Sequence, residues 1–583
     1  MIPRPEFPRP DFERKQWLSL NGEWDFQLDQ TAELTEMAAA EKAFDQKIQV
    51  PFCYESKLSG IGKWADCETV WYKRAVTLTA AQLSGKVLLK FGAVDYEAYV
   101  WVNNLYIGTH KGGHISFELD ITHAAKAGEN LIIVKATDSL ATDKPRGKQS
   151  WLGEKFGCWY TPTTGIWQSV WLEFTGRDYI RGIKITPDID TLTATCEVTV
   201  SCTGKRTVRL EAAFGEGRLS GVSRVEAVAV NGYARATFTL SDMDLLSYDK
   251  LFWTPEHPNL IDVKAELVEG TEVCDTIYTY FGLRKISVRD DVILLNNNPY
   301  YQRLILDQGY WPDSLLTPPS DEAIIEDIRL TKAMGFNGAR KHQKIEDPRY
   351  YYWADKMGLL VWGELPSPYL YNSAAVIHAQ AELSEFILRD YNHPCIITWV
   401  TLNESWGVRD ISANKQQQDF ARALYYTAKA LDKTRLVSSN DGWEQVDTCD
   451  FCAIHDYAIF GDNTDKYDDL GKVISRGLTG RMIYAEGSRY EGKPIIMTEY
   501  GGIAFSNTSS GDWGYFGKVS TEEEFLARLE PVTDIFIKSR SYCGFCYTQL
   551  TDVMQEVNGL LTPDRKPKIE TEKLKAIFGK KWH

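Results

Sequence analysis

Ile396-Ile397-Thr398-Trp399-Val400-Thr401-Leu402-Asn403-Glu404 reads as a buried strand that ends in an adjacent amide and carboxylic acid. A carboxylate at the rim of an apolar strand is rarely left there without a task. A second run of the same design, Pro494-Ile495-Ile496-Met497-Thr498-Glu499-Tyr500-Gly501-Gly502, supplies a second one. Two carboxylates facing one sugar are the minimum equipment for glycoside hydrolysis.

Both runs lie in a region where strands alternate with helices, the grammar of a parallel α/β sheet or barrel. Apolar residues at helical spacing mark Ala323 to Leu330 and Ala421 to Ala428. Thr521-Glu522-Glu523-Glu524 fits a capping box with Thr521 as N-cap. Strand candidates fall at Tyr301 to Leu306, Phe336 to Ala339, Leu359 to Trp362, Cys395 to Val400, Leu436 to Ser439, Phe451 to Ile454, Ile495 to Thr498 and Tyr542 to Tyr547. Eight such strands over residues 289–583 predict a catalytic (β/α)8 TIM barrel. Working residues of that fold sit at the C-terminal ends of strands, where Glu404 and Glu499 close the fourth and the seventh. A carboxyl separation of about 5 Å makes one a nucleophile and the other a general acid/base, with retention at the anomeric carbon.

Upstream the signals are β. Residues 1–177 carry short apolar strands such as Val87 to Phe91, Ala98 to Val102 and Leu131 to Ala136, punctuated by Gly and Asn, which predicts a jelly-roll β-sandwich. Residues 178–288 alternate in Thr195 to Val200 and Val208 to Ala212, and their length suits an immunoglobulin-like β-sandwich. The chain is therefore expected to be multidomain.

A length of 583 residues is too great for one ordinary core, and the 18 Trp and 30 Tyr are well suited to stacking on sugars. Lys and Arg total 65 against 80 Asp and Glu, and the net charge of −15 argues against nucleic acid as partner. Met1-Ile2-Pro3-Arg4-Pro5-Glu6-Phe7-Pro8-Arg9-Pro10 has no apolar core of a leader, and no apolar stretch is long enough to span a bilayer, so the expectation is a cytoplasmic chain with no membrane partner. Eleven Cys, an odd number, suit a reducing compartment. Cys449-Asp450-Phe451-Cys452 and Cys543-Gly544-Phe545-Cys546 resemble metal spacings, but both lie in strand-like segments where positions i and i+3 point to opposite faces, so no metal is expected there. The expected partner is a small-molecule glycoside or oligosaccharide, with a homo-oligomer left open.

The motifs together resemble glycoside hydrolase family 2, the group of β-galactosidases, β-glucuronidases and β-mannosidases. The resemblance rests on Leu20-Asn21-Gly22-Glu23-Trp24, Thr164-Gly165-Ile166-Trp167, Asn392-His393-Pro394 leading through Trp399 into Asn403-Glu404, and Thr498-Glu499-Tyr500-Gly501. It implies Glu404 as acid/base and Glu499 as nucleophile, with the charge of Glu499 raising the pKa of Glu404. It implies Asn403 on the sugar 2-hydroxyl, Tyr457 orienting the nucleophile, and Arg340 steadying Glu499 by charge. His455, His342, Asp307, Tyr547 and Trp399 are carried as further sugar contacts, Tyr547 standing where relatives place the Trp that floors the site. No cofactor is implied, and the magnesium-binding Glu-x-His of large β-galactosidases is absent, since Glu364 is followed by Leu365-Pro366.

Three departures concern the sugar. Arg340 is retained, but Lys341-His342-Gln343-Lys344 replaces the Ser-His-Tyr-Pro turn that usually follows it, and these cations either bind an acidic sugar or form a solvated rim; Glu364 is a candidate partner for their charge. Cys158-Trp159-Tyr160-Thr161-Pro162 stands where relatives carry a sugar-binding Asp. The Asn-x-Lys that holds a uronate after the last strand is missing, since the Asn beyond Tyr542 is Asn558, followed by Gly559-Leu560. The expected activity is a retaining exo-β-glycosidase, β-galactosidase-like. The alternatives are a β-glucuronidase or other β-uronidase using Arg340, Lys341 and Lys344 for the carboxylate, and a non-catalytic carbohydrate-binding protein.

Overall fold

A computed structural model describes residues 2–582 apart from 216–220, 244–247, 459–466, 468, 476–479, 507–511 and 516. The chain begins as two β-sandwiches. In the first, a four-stranded sheet (Trp17–Ser19, Val170–Thr175, Lys86–Phe91, Phe117–Asp120) faces a six-stranded one (Gln46–Val50, Gly22–Leu28, Thr69–Leu78, Gly128–Thr137, Glu97–Val102, Leu105–Lys111). Period-two alternation decides which side chains meet: Ala98, Val100 and Val102 turn inward to join Trp24, Phe26, Tyr72 and Ile132 in the core. The second sandwich is immunoglobulin-like, with three strands on one sheet and four on the other, and alternation again buries Ala194, Cys196, Val198 and Val200.

After a short three-stranded meander (Ile286–Arg289, Val292–Leu295, Asn298–Pro299), eight parallel strands follow. They are β1 (Gln302–Asp307), β2 (Gly338–Lys341), β3 (Leu360–Glu364), β4 (Ile396–Val400), β5 (Leu436–Ser438), β6 (Cys452–Asp456), β7 (Ile495–Gly501) and β8 (Tyr542–Thr548). The ladder runs β5-β4-β3-β2-β1-β8-β7-β6. Strands β2 to β8 are buried on both faces, which is why most of them read as largely apolar runs; β2, Gly338-Ala339-Arg340-Lys341, buries two cations instead. Between β5 and β6 a side-chain amide takes the place of the missing ladder: Gln445 Nε2 donates to Ala453 O (2.7 Å) while the Ala453 N–H donates to Gln445 Oε1 (3.0 Å).

Helices between strands start where short polar caps place them. Ser320 caps Asp321–Ala333, Asn372 caps Ser373–Asp390, Asn414 caps Lys415–Leu431 and Thr521 caps Glu522–Lys538. Glu524 completes the last box one residue early, accepting from the Ser520 N–H at 3.1 Å. All eleven cysteines, each among the described residues, are free thiols. No helix of the described residues is long and apolar enough to cross a membrane.

Residues 138–165 of the first sandwich lie across the barrel mouth. The backbone N–H groups of Arg146 and Gly147 both donate to Ser367 O (3.2 Å each), the Tyr369 N–H donates to Thr142 O (2.8 Å) and the Tyr369 hydroxyl to Gly147 O (2.6 Å). The approach is tight enough to dictate glycine. Gly147 has φ +62°, and a Cβ there would stand 2.1 Å from Gln343 O.

Candidate active site

The acid of the fourth strand sits on a strained turn. Glu404 and Ser405 adopt left-handed φ values of 52° and 59°, a conformation costing non-glycine residues about 1–3 kcal/mol each. The loop after β5 holds the turn in place: the Glu404 N–H donates to Asp441 O (2.9 Å), the Ser405 N–H to Asn440 Oδ1 (3.0 Å), and the Asp441 N–H to Leu402 O (2.9 Å). The turn lifts Glu404 into the mouth, where its side chain is 17% exposed against 4% for Glu499. Across from it, Glu499 is fixed within β7. Glu404, Glu499 and His455 each present a ligand atom within 4.8 Å of the other two, so the carboxylates of strands four and seven converge.

Arg340 ties the floor together. Fully buried at the end of β2, it donates through Nε to Glu364 Oε2 (2.7 Å), through one terminal nitrogen to Glu499 Oε1 (3.0 Å) and through the other to Asn403 Oδ1 (2.7 Å), and it also lies 3.1 Å from Asp441 Oδ1. One guanidinium thus links side chains from five strand ends, a geometry only the planar fork of Arg offers. With its oxygen taken by Arg340, Asn403 has its buried Nδ2 free among the described residues and able to donate to a ligand hydroxyl. The Tyr457 hydroxyl donates to the second oxygen of Glu499 at 2.5 Å, and the ring stacks on Tyr515 at 3.8 Å.

His455 departs from its expected role as a sugar contact. Its Nδ1 lies 2.9 Å from Glu404 Oε1 and its Nε2 2.8 Å from Asp441 Oδ1, so each ring nitrogen faces a carboxylate oxygen. Only the imidazolium donates on both sides. Burial works against that charge, yet Glu499, Asp441 and Glu404 together push His455 up to about 9. Conversely, burial opposes ionisation of Glu404, but the hydrogen bond and charge of His455, with Lys148 adding to them, bring its carboxyl down to about 2. The sequence reading had Glu499 raising the pKa of Glu404; the cation standing between the two carboxylates reverses the sign. Gly442 makes the imidazole's position achievable, since a Cβ there would lie 2.6 Å from the ring.

Other expected contacts lie elsewhere. Trp399 points outward from β4 into the helical layer, donating to Asp432 Oδ2 (2.9 Å) and packing edge-on to Phe386. Tyr547 likewise points outward, against Tyr500 and Phe578; its neighbour Thr548 faces in and touches the Tyr457 hydroxyl at 3.1 Å. Asp307 is occupied by Lys341 Nζ (2.7 Å) and the Gly309 N–H (2.8 Å). Lys341 and Lys344 are neither a solvated rim nor open to an acidic sugar, because both are buried on Glu346, at 2.9 and 2.8 Å. His342 is buried with Nδ1 3.1 Å from Glu364 Oε1, and burial first, then the charge of Lys148, hold it well below its ordinary pKa and hence neutral.

Glu404, His455 and Glu499 are the set of described side chains whose atoms come close enough to share a cation. Arg340 and the Tyr457 hydroxyl already donate to the two oxygens of Glu499, and His455 lies on Oε1 of Glu404. On the outer side of Glu404 an aromatic wall rises. Trp406 Nε1 donates to Glu404 Oε2 at 3.3 Å, and Trp406 meets Trp159 edge-to-face at 5.2 Å; Trp151 and Phe156 pack behind it.

The family model described as glycosyl hydrolases family 2, TIM barrel domain, matches residues 286–581, the family's sugar binding domain matches 17–172, and a third family 2 model matches 178–284. This chain belongs to glycosyl hydrolase family 2. Among family 2 relatives, a β-glucuronidase of Paenibacillus borealis is 24% identical over 88% of this chain and 87% of its own length. A β-galactosidase of Thermoanaerobacter pseudethanolicus is 27% identical over 63% of this chain and 47% of its own length. Of solved family 2 structures, a Ruminococcus gnavus β-glucuronidase superposes with TM-score 0.78 at 20% identity, covering 100% of this chain and 99% of that one. A β-galacturonidase of Eisenbergiella tayi superposes with TM-score 0.75 at 20% identity, covering 99% and 98%.

Within this family 2 site, sequence reasoning missed Asp441, Thr548, Trp406 and Lys148. Asp441 had a signal, lying just beyond a predicted strand end. Thr548 was one residue from the position chosen, and on a strand one residue is the opposite face. Trp406 follows Glu404 by two residues, but nothing local shows its ring turning back. Lys148 sits in a loop of another domain and had no local signal at all.

Proposed function

We propose that this family 2 chain is a retaining exo-β-glycosidase that removes a terminal β-linked sugar by double displacement, with Glu499 as nucleophile and Glu404 as acid/base. The convergence of the two carboxylates to within 4.8 Å carries this reading, because retaining enzymes need about 5 Å while inverting ones leave about 6.5–9.5 Å for a water. Arg340 and Tyr457 hold the two oxygens of Glu499 for attack on the anomeric carbon. The proton for the departing oxygen rests on His455 Nδ1. It passes to Glu404 Oε1 as the bond breaks, and Glu404 gives a proton to the leaving group. Water then attacks the glycosyl ester; Glu404 takes its proton and returns one to His455, restoring the start. Asn403 Nδ2 is placed to serve a hydroxyl of the bound sugar.

A neutral galactose-like sugar was the first expectation. The uronide alternative loses its proposed Arg340, Lys341 and Lys344 route, because all three cations are spent inside the protein. Proton NMR of the first-formed sugar tests the mechanism: the β anomer should appear before mutarotation, and initial release of the α anomer would remove the double-displacement reading.

The pH profile tests the proton's location. Activity requires one proton on the Glu404–His455 pair. With His455 at about 9, that proton is present at neutral pH and lost as pH rises, so kcat/KM should fall with an apparent pKa near 9. In His455→Asn the proton must sit on Glu404 alone, whose carboxyl belongs to the carboxylate range, and the alkaline limb should move down by about 2 units or more. An unmoved limb would exclude His455 as its holder.

A further inference from the structure

We infer that Lys148 seats an anionic group of the substrate, a carboxylate on the sugar or on its leaving group, beside Glu404. The inference rests on the reading of Glu404 and Glu499 as the catalytic pair. Lys148 is only 6% exposed, and no carboxylate of the described residues lies within ion-pair distance of its Nζ. Every other fully engaged buried lysine nearby has one: Lys144 pairs with Asp138, Lys341 with Asp307 and Glu346, Lys344 with Glu346. Buried ammonium groups without a counter-charge are costly to keep. The neighbours of Lys148 are the Cys158 thiol and, at 5.9 Å, the Trp159 ring. The Trp159 ring beside it meets Trp406, which donates to Glu404, so Lys148 stands over the same mouth, and its charge acts on Glu404 and His342 there. Glu556 acts on Lys148 only from beyond ion-pair distance, and its oxygens accept from the Tyr160 hydroxyl (2.5 Å) and Asn558 Nδ2 (3.1 Å).

Lys148 is also held ready. Its carbonyl accepts from the Tyr160 N–H at 2.8 Å, the Ser150 N–H donates to Tyr160 O at 2.8 Å, and Gly147 before it is clamped on Gln343. A cation positioned by backbone bonds at the mouth that holds the acid/base, with the Cys158 thiol beside it but no carboxylate of the described residues at ion-pair distance, is a preorganised half of an ion pair. The occupant is a monoanion. Glu404, Glu499 and Glu556 surround the mouth, and a phosphate dianion would meet three carboxylates where a carboxylate meets the same repulsion with half the charge.

The test uses substrate pairs differing only in one carboxylate. Aryl β-galacturonide and β-glucuronide are compared with the matching galactoside and glucoside, and a galactoside with a carboxylated phenol is compared with its methyl ester. In one arm, kcat/KM for the acid should exceed that for its neutral partner by about 10²-fold. Lys148→Met should collapse that ratio by a similar factor, while Lys148→Arg, which keeps the charge, should preserve most of it. The arm that responds says whether sugar or leaving group carries the anion. As a readout without any variant, galacturonate or glucuronate, or the free carboxylated phenol, should inhibit at least about tenfold more tightly than the neutral counterpart. Ratios near unity in both arms, or ratios that Lys148→Met leaves in place, overturn the inference. A wild-type protein that turns over none of these glycosides would instead overturn the reading of the catalytic pair.

Discussion

Replacing Glu499 with Gln is expected to lower kcat on every aryl β-glycoside by about 10⁵-fold or more while leaving the fold intact. The amide has the shape of the carboxylate, and its oxygen can still accept from Arg340 while its NH2 donates to the Tyr457 hydroxyl oxygen, but it cannot open a covalent route through a glycosyl ester. Wild-type protein treated with a 2-deoxy-2-fluoro glycoside bearing an activated leaving group should gain the mass of one sugar, and fragmentation should place it on Glu499. Label on another residue, or Glu499→Gln turnover within tenfold of wild type, would dismiss Glu499 as nucleophile.

The second large effect depends on the leaving group. Glu404→Ala should cost about 10²–10⁴-fold on glycosides of poor leaving groups, which need a proton to depart, and far less in the first step with dinitrophenol, which does not. The second step needs Glu404 as base, so a glycosyl ester on Glu499 should accumulate. Azide, a nucleophile that needs no deprotonation, should then restore turnover and yield a β-glycosyl azide. Equal losses across leaving groups with no azide rescue would give Glu404 a structural part only. The left-handed turn makes this substitution informative, because the anchors at Asp441 O and Asn440 Oδ1 bind backbone N–H groups and survive removal of the side chain.

The barrel was legible because its strands are buried on both faces and therefore look alike in sequence. All eight predicted strands are present, and the main slip is instructive. The second was read as ending at Ala339, whereas β2 continues through Arg340 and Lys341. Charged residues at a strand end read as a rim; here they are buried because Glu364 and Asp307 arrive from other strands and Glu346, just downstream, folds back onto both lysines. For the same reason Glu404 and Glu499 could be named from their strands, but the ionisation of Glu404 could not. That depends on His455 and Asp441, whose alignment exists only after strands four, five and six are side by side. Trp399 and Tyr547 failed differently, as aromatic residues in the right strands on the wrong faces.

The loop that crosses from the first sandwich has a consequence for how such a protein can change. Bond-making groups are rooted in barrel strands, whereas Trp159, Trp151 and Lys148 travel on residues 138–165, whose flanking strands belong to sheets outside the barrel. Exchanging that one segment would change what meets an incoming ligand, and the charge felt by Glu404, while leaving the strand-end carboxylates in place.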